Sequence, residues 1–230
     1  MNGGRTSREL GGDDLERLAA HGRVEAIARR TIVPLDAATL VVVLGGYFRI
    51  FRSAAFVRDV TLAIAARGDV LAADAAFGER PAENGAEALS DGLILLLSAE
   101  AWHDAAREHI DLYLKMAASL ARRTARVQTQ LEGLSRSTVE GRVATRLLEL
   151  ATDFGRPTAT GETKLDLPLS QQDLARLAAT TRETCSSIVA DFGRRGIVRG
   201  SRLRGMVVLD AAALARAARD GFEAAARDSR

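Results

Sequence analysis

The first long section of the chain has the hydrophobic pattern of short strands. Between residues 32 and 97, apolar residues come in short runs that Gly, Pro and Asp residues separate. Runs spaced by about 8–12 residues, with turn signals between them, predict an antiparallel roll or barrel. The predicted strands cover residues 32–33, 40–44, 47–51, 57–64 and 93–97. Residues 1–14 are expected to fray, a short helix is predicted over 15–28, and the alanine-rich stretch 71–88 fits no single element.

From residue 99 to about 134 the period of the pattern is helical. Seven residues in this stretch recur at alternating spacings of four and three, which is the heptad pattern of helices that wrap around each other. We therefore predict a parallel dimer joined through Tyr113, Ala117, Leu120, Thr124, Val127, Leu131 and Leu134. Ile110 and Leu114 lie off this seam and are expected to pack against the roll. An ordinary amphipathic core helix is the alternative interpretation.

Two short helices joined by a tight turn are predicted in the C-terminal part of the chain. Ser170, with Asp173 three residues later, has the pattern of a helix N-terminus. A second helix follows over about 181–192, with Thr181 or Thr180 as its cap and Gly193 as its stop. Two helices in this order form a helix-turn-helix. The buried side of the second helix is expected to hold Cys185, Ile188 and Val189.

The polar side of this second helix has residue types that suit contacts with DNA bases. The first residues of the second helix of a helix-turn-helix meet base edges in the major groove. Arginine suits guanine there, glutamate accepts from the cytosine amino group, and serine serves either a base or a phosphate. The predicted base contacts are Arg182, Glu183, Ser186 and Ser187.

A hairpin with arginines at its turn is predicted after the second helix. Two apolar stretches, 197–198 and 203–209, flank a turn over residues 199–202. Such a hairpin is a wing whose basic side chains lie along the phosphate backbone. The predicted phosphate contacts are Ser170, Gln171, Thr181, Thr184, Arg199, Arg202 and Arg204.

The positive charge of the chain is concentrated in this same region. The formal net charge of the whole chain is only +2, from 32 basic and 30 acidic residues. Residues 176–204 nevertheless hold seven arginines against two acidic residues. A confined basic surface on a nearly neutral protein indicates a local nucleic-acid site. A solvated, arginine-rich surface is the alternative interpretation.

Several other classes of protein are disfavoured by the sequence. The single cysteine, Cys185, excludes a disulfide scaffold and a CxxC zinc site, and the widely spaced histidines give no reason to expect a metal. The first residues lack the apolar core of a signal peptide, and no apolar run reaches the roughly 18 residues of a membrane span. We therefore expect a cytoplasmic protein without membrane contact. The chain has no nucleophile elbow, P-loop, HExxH or GxGxxG motif, so we expect no enzyme.

Residues 169–210, LSQQDLARLAATTRETCSSIVADFGRRGIVRGSRLRGMVVLD, closely resemble the winged helix of the cyclic AMP receptor protein and FNR superfamily of bacterial transcription regulators. The stretch EGRVATRLLELA, residues 140–151, resembles the linker helix of that family. The fold that the resemblance implies is α+β. It has an N-terminal antiparallel β-roll of the cyclic-nucleotide-binding type, a long dimerisation helix and a C-terminal winged helix-turn-helix, over residues 1–106, 107–136 and 137–230.

The resemblance also implies partners for the protein. These are a second copy of the chain in a homodimer, a pseudo-palindromic operator in double-stranded DNA, and RNA polymerase. Arg182 and Glu183 match base-reading residues of the family by position. Ser187 occupies a third base-reading position, where many members have arginine, so the operator sequence of other members cannot be transferred to this chain.

The stretch that binds cyclic AMP in the family is altered in this chain. Members that bind it carry roughly Phe-Gly-Glu-Leu-Ala-Leu, followed by Pro-Arg-Ser-Ala; the glutamate holds the ribose hydroxyl and the arginine holds the phosphate. This chain has LAADAA over residues 71–76, and Glu83-Asn84 stands where arginine and serine are expected. A glutamate would repel the cyclic phosphate. We therefore predict that cyclic AMP is not bound in the manner of the family, and we expect no other identified cofactor.

Three further interpretations stay open from the sequence. The regulator could respond to a different nucleotide, such as a cyclic dinucleotide, with Arg122-Arg123 as its contacts. The chain could instead be a protein-interaction module that no longer binds DNA. Cys185 could be a packing residue of the second helix or a thiol whose oxidation disturbs DNA contact.

Overall fold

A computed structural model describes residues 10–54, 57–79, 85–200 and 202–228 of the chain. The described part of the chain divides into two compact units, one up to Arg126 and the other from Val127 onward. Within the described parts of the chain, no helix combines the length and the apolar character that crossing a bilayer requires.

The N-terminal unit is built from two antiparallel sheets and the helices that cover one of them. In chain order its elements are α1 (Gly12–Ala19), β1 (Arg23–Ile27), β2 (Ile32–Pro34), β3 (Thr39–Gly45), β4 (Tyr47–Ala54), β5 (Val57–Ala66), β6 (Val70–Leu71), a 3-10 helix (Ala73–Phe77), β7 (Gly85–Ala88), β8 (Gly92–Ser98), α2 (Ala99–Glu108) and α3 (Asp111–Arg136). Helix α3 continues into the C-terminal unit. All five predicted strands are present.

Strand β3 contributes side chains to both hydrophobic cores of this unit. One sheet has the order β1-β8-β3-β6 and the other β2-β7-β4-β5. Successive side chains of a strand point to opposite faces. Val41 and Val43 therefore face Phe48 in the apolar core between the sheets. Leu40 and Val42 face a second core, which α2 and α3 close with Trp102, Leu112 and Met116 among others.

The start of the chain differs from the prediction. A helix was predicted over residues 15–28, but α1 ends at Ala19 and residues 23–27 form strand β1. Val24 pairs with Leu95 of β8, so a partner about seventy residues away decides the conformation. The frayed segment predicted up to residue 14 is also wrong from Leu10 onward. Leu10 and Asp14 are buried, and Lys115 of α3 contacts Asp14 with Nζ–Oδ1 and Nζ–Oδ2 distances of 2.6 and 2.8 Å.

The prediction that Ile110 and Leu114 pack against the roll is wrong. Their exposed fractions are 69% and 70%, whereas Leu112 and Met116 are buried. Residues two apart on a helix lie on nearly opposite sides, so burial of Leu112 and Met116 turns Ile110 and Leu114 outward.

The C-terminal unit joins four helices to a small antiparallel sheet. Its elements after α3 are α4 (Val139–Phe154), β9 (Arg156–Pro157), β10 (Thr163–Asp166), α5 (Gln171–Leu177), α6 (Arg182–Arg194), β11 (Val198–Arg199), β12 (Arg204–Val208) and α7 (Ala211–Asp228). The sheet order is β11-β12-β10-β9. The strands β11 and β12 form the predicted wing, and Ser201 in its turn lies outside the described residues.

Helix α7 was not predicted, and it packs tightly on α4. A Cβ atom on Gly221 would lie 2.6 Å from the Cα of Gly141, so only two glycines allow this approach. The backbone N–H of Thr138 donates to the Gly221 carbonyl at 3.0 Å, at the junction of α3 and α4. The alanine-rich helix α7 therefore contacts the start of α4 directly.

Candidate nucleic-acid interface

The helix-turn-helix is fixed by side-chain caps at the start of both helices. Ser170 Oγ accepts from the Asp173 backbone N–H at 3.2 Å, and the Asp173 carboxylate accepts from the Ser170 N–H at 2.8 Å. Thr181 Oγ1 caps α6 by accepting from the Thr184 N–H at 3.2 Å. Such caps satisfy backbone N–H groups that a helix leaves unpaired. The predicted caps are confirmed, and the hydroxyls of both cap residues are held in place by them.

Helix α6 buries one side and exposes the side predicted to read DNA. Cys185, Val189 and Phe192 are buried. Arg182, Glu183, Thr184 and Ser187 are exposed, and Ser186 is half-buried. The expectation that Ile188 is buried is wrong, because it is half-exposed and Phe192 fills the core instead. The predicted stop at Gly193 is also wrong: the helix continues to Arg194, and the left-handed residue that follows it is Gly196, with φ of 68°.

The arginines of this region fall into two groups. Four have acidic partners: Arg176 lies 3.9 Å from Asp173, Arg199 lies 3.4 Å from Glu162, and Arg194 and Arg195 both bind Asp191. The second group, which we call the unpaired arginines, has exposed side chains that form no hydrogen bond or ion pair with another described residue. It consists of Arg182, Arg202 and Arg204.

The C-terminal end of α6 is tied to the start of α4. The Arg195 Nη1 atom lies 2.7 Å from Glu140 Oε1 and 3.2 Å from Asp191 Oδ2. The hydrogen bond to Glu140 raises the pKa of the Arg195 guanidinium. The hydrogen bond from Arg195 holds the pKa of the Asp191 carboxyl below its usual value. The charge of Arg195 is therefore shared with two carboxylates.

Two arginines that sequence reasoning missed hold the turn between α5 and α6. Arg142 donates to the carbonyls of Ala178 and Ala179 at 3.0 and 3.3 Å. Arg146 donates to the carbonyl of Leu177 at 3.0 Å. The two arginines are four residues apart and so lie on one face of α4, which is the signal that the sequence offered.

Comparison with known proteins decides the family. Residues 141–217 match the model of the Crp-like helix-turn-helix domain, where Crp is the cyclic AMP receptor protein. A CRP-like cAMP-activated global transcriptional regulator of Mycobacterium tuberculosis is 30% identical over 182 residues, which are 78% of this chain and 80% of the relative. The chain belongs to the family of CRP-like transcriptional regulators. The helix-turn-helix is thus the DNA-binding domain of a regulator, and the protein is not an enzyme.

Solved structures of other proteins have the same fold. A transcriptional regulator of the CRP family from Thermus thermophilus matches with a TM-score of 0.65 and 28% identity, over 87% of this chain and 99% of that one. A CooA mutant from Carboxydothermus hydrogenoformans matches with a TM-score of 0.76 and 23% identity, over 92% and 96% of the two chains. These matches confirm the α+β fold class, with antiparallel sheets before a C-terminal helix-turn-helix.

The long helix of this CRP-like regulator carries an exposed stripe that differs from the predicted seam. Tyr113 and Leu120 of the seam pack partly against the core of the N-terminal unit, and the Tyr113 hydroxyl lies 2.8 Å from His103 Nδ1. The side chain of Leu134 lies outside the described residues. The exposed stripe recurs at spacings of four and three. We call it the α3 stripe: Ile110, Leu114, Ala117, Ala121, Thr124, Gln128 and Leu131.

The stretch that aligns with the cyclic AMP cassette forms β6 and the 3-10 helix. Ala72 adopts a left-handed conformation with φ of 51°, and Ala73 is buried. Arg123 of α3 lies near this stretch. Burial lowers the pKa of its guanidinium, while the nearby carboxylates of Asp74 and Asp69 act in the opposite direction. Glu83 and Asn84, on which part of the sequence argument depended, lie outside the described residues.

Cys185 is a buried packing residue of α6. Its side chain has no exposed surface. Burial raises the pKa of the thiol to about 11. Since the thiolate is the reactive form of cysteine, a thiol with this pKa is unreactive at neutral pH.

Proposed function

We propose that this CRP-like regulator is a homodimer that binds a pseudo-palindromic DNA operator with α6 in the major groove, and that it does so without cyclic AMP. The observation that carries the proposal is that Arg182 and Glu183, at the capped start of α6, are both exposed and have no ion-pair partner among the described residues. Regulation through RNA polymerase is part of the same proposal and rests on family membership.

The side chains at the start of α6 support base contacts of two kinds. Arg182 can donate two hydrogen bonds to guanine, and Glu183 can accept from a cytosine amino group. Neither has to break an ion pair with a described residue before it binds DNA. Arg202 and Arg204 of the wing are equally unpaired, which suits contacts with phosphates. Arg199 must first leave Glu162, so we expect it to contribute less.

The α3 stripe supports the homodimer. Ile110 and Leu114 are large apolar side chains that lie mostly in solvent, and Leu131 is 61% exposed on the same stripe. Exposed apolar residues at heptad spacing are covered when two such helices wrap around each other. We expect Leu114→Glu to give a monomer in sedimentation analysis. Arg107→Glu, at an exposed position on α2, should leave the dimer intact; a Leu114→Glu dimer would contradict this interface.

Two features support independence from cyclic AMP. Where the cassette of cyclic AMP binders has its ribose-binding glutamate, this chain has the buried Ala73, which offers no acceptor for a hydroxyl. The described core between the two sheets is apolar, with Phe48, Ala72 and Ala86 fully buried in it. The mycobacterial relative is named as activated by cAMP. The proposal therefore separates this chain from that relative in its effector.

The experiment that tests the proposed function is selection of bound duplexes from a random DNA pool by the purified, ligand-free protein. We expect one palindromic sequence whose half-sites lie about one helical turn apart, because a symmetric dimer presents its two recognition helices at that spacing. Recovery only after cyclic AMP is added would overturn the proposed independence. No enrichment in either arm would favour the interaction module without DNA binding.

A further inference from the structure

The turn between α5 and α6 is held from outside by α4. Three successive carbonyls, those of Leu177, Ala178 and Ala179, each accept from a guanidinium of α4. Arg142 binds two of them and also donates to the carbonyl of Ser137 at 2.9 Å. One side chain therefore connects the turn of the helix-turn-helix to the start of α4.

These carbonyls lie at and just beyond the C-terminal end of α5, where the helix supplies no donors for them. The last carbonyls of an α-helix have no partner within it, and they carry the negative end of the helix dipole. Helix α5 has only seven residues, so its last turn is about half of it. A guanidinium offers donors in a fixed planar fork and keeps its charge, which suits two neighbouring carbonyls. Lysine, with a single ammonium on a flexible stem, cannot reproduce this geometry.

The backbone of the turn is also strained. Ala179 has φ of 49°, in the left-handed region that costs an L-residue free energy and that glycine enters freely. Ala179 lies two residues before Thr181, the cap of α6. A small change of φ or ψ at Ala179 would turn α6 as a rigid body. The hydrogen bond from Arg142 to the Ala179 carbonyl opposes such a change.

Arg142 and Arg146, which together we call the α4 clamp, are not equivalent. Arg146 also contacts Glu149, with Nη1 and Oε2 at 2.5 Å, so its charge is shared with a carboxylate on its own helix. The described hydrogen bonds of Arg142 all go to backbone carbonyls. Burial lowers the pKa of the Arg142 guanidinium, as expected for a side chain packed between α4 and the turn. Substitution of Arg142 is therefore the better test of what the α4 clamp does to the turn.

We propose that Arg142 is a positioning residue for DNA recognition: it holds the strained turn and so sets the orientation of Arg182 and Glu183 without touching DNA itself. This inference rests on the proposed function, since it names a residue that prepares α6 for base contacts. It differs from a general role in stability, because it predicts loss of discrimination between DNA sequences in a protein that remains folded.

The test compares Arg142→Ala with Arg216→Ala, which removes an exposed arginine, and so the same charge, from the same unit. The probe is the palindrome that the wild-type protein selects, with a scrambled duplex of equal length as reference. We expect Arg142→Ala to lose about tenfold to hundredfold in affinity for the palindrome, the range of one base contact. Affinity for the scrambled duplex and the salt dependence should stay unchanged. A salt slope smaller by about 1 would instead mean a phosphate contact and overturn the proposal.

Substitution of the strained residue provides a second, independent readout. Glycine adopts the left-handed conformation of residue 179 without strain. If Arg142 acts by stabilising this conformation of Ala179, then Arg142→Ala should cost less DNA affinity in the Ala179→Gly background than in the wild type. A double-mutant cycle measures this coupling. Arg142→Lys should restore only part of the affinity. Additive losses, or equal affinity of Arg142→Ala and wild type, would refute the positioning role.

Hydrogen exchange without DNA separates this inference from the proposed function. Amides of the turn and of the first turn of α6 should exchange at least about tenfold faster in Arg142→Ala than in Arg216→Ala, with the rest of the unit unchanged. Unchanged exchange there would overturn the inference even if the wild-type protein selected no DNA. Failure of the wild type to select DNA, with the exchange effect present, would refute the proposed function alone.

Discussion

The two units of the chain use their charged residues differently. In the N-terminal unit, two charged side chains are buried and paired: Arg49, 3% exposed, binds Glu87 at 2.6 and 2.9 Å, and Asp14, 4% exposed, binds Lys115. In the C-terminal unit, Arg182, Arg202 and Arg204 are exposed and have no partner among the described residues. A buried pair is costly to break, whereas an unpaired surface arginine is available to a polyanion.

This difference separates stability from recognition. Loss of a buried arginine should damage the fold of the N-terminal unit. Loss of an unpaired arginine should damage DNA binding and leave the fold intact.

The largest effect is expected for Arg49→Ala in the sheet of the N-terminal unit. The substitution removes the partner of Glu87 and the guanidinium that lies 4.7 Å above the Phe51 ring. It should lower the free energy of unfolding by about 3–5 kcal/mol, the usual cost of breaking a buried pair. Chemical denaturation measures this. Arg107→Ala, which removes an exposed ion pair with Asp104, should cost less than about 1 kcal/mol. Equal losses of unfolding free energy in Arg49→Ala and Arg107→Ala would contradict the stabilising role of the buried arginine.

The next effect is a loss of stability at alkaline pH through Cys185. Burial raises the pKa of this thiol to about 11, from an ordinary value of 9.0. A raised pKa favours the protonated form in the folded state, so the stabilisation is full below about pH 9 and is lost as the pH rises toward 11. The loss should reach up to about 3 kcal/mol. Urea unfolding of wild type and Cys185→Ala at several pH values measures it. A steeper decline in Cys185→Ala would contradict the assignment.

Arg182→Ala should weaken DNA binding without affecting stability. Loss of a bidentate contact with guanine costs about 1–3 kcal/mol of binding free energy. The free energy of unfolding should change by less than about 0.5 kcal/mol, because the side chain is exposed and unpaired among the described residues. Fluorescence anisotropy with the selected palindrome, beside thermal unfolding, measures both. Arg216→Ala is the control for charge, and equal losses in the two variants would contradict base reading by Arg182.

The smallest effect is a gain of stability from Ala179→Gly. Glycine relieves the left-handed strain at φ of 49°, although it raises the entropy of the unfolded chain. The net gain should be about 0.5–1 kcal/mol. Ala178→Gly is a matched control, since Ala178 has an ordinary φ of −88° and should lose stability on substitution. Calorimetry of both variants checks the sign, and a loss at both positions would show that Ala179 is not strained.

The helix-turn-helix could be predicted because its signals are local. The caps at Ser170 and Thr181 join atoms only three residues apart, so the sequence around them already specifies both helix starts. The order of the two helices and the wing then followed from turn residues. The free and paired arginines could not be separated in this way, because Glu162 reaches Arg199 from 37 residues away.

The errors in the fold have non-local causes. Strand β1 was mistaken for a helix because its partner, β8, follows about seventy residues later. Helix α3 has apolar residues on two sides, and spacing alone does not say which side faces the roll: Leu112 does and Leu114 does not. Helix α7 does have a local signal, since Asp210 accepts from the Ala213 N–H at 2.7 Å and acts as its cap.

We propose that the exposed arginines of the C-terminal unit bind DNA while the roll takes no cyclic AMP. The most direct measurement is the affinity of the wild-type protein for its selected palindrome, with and without cyclic AMP at millimolar concentration. A ligand changes this affinity only if it binds the two forms of the protein differently. We predict the same Kd in both arms, within about twofold. An increase in affinity of about tenfold or more on addition of cyclic AMP would contradict the account.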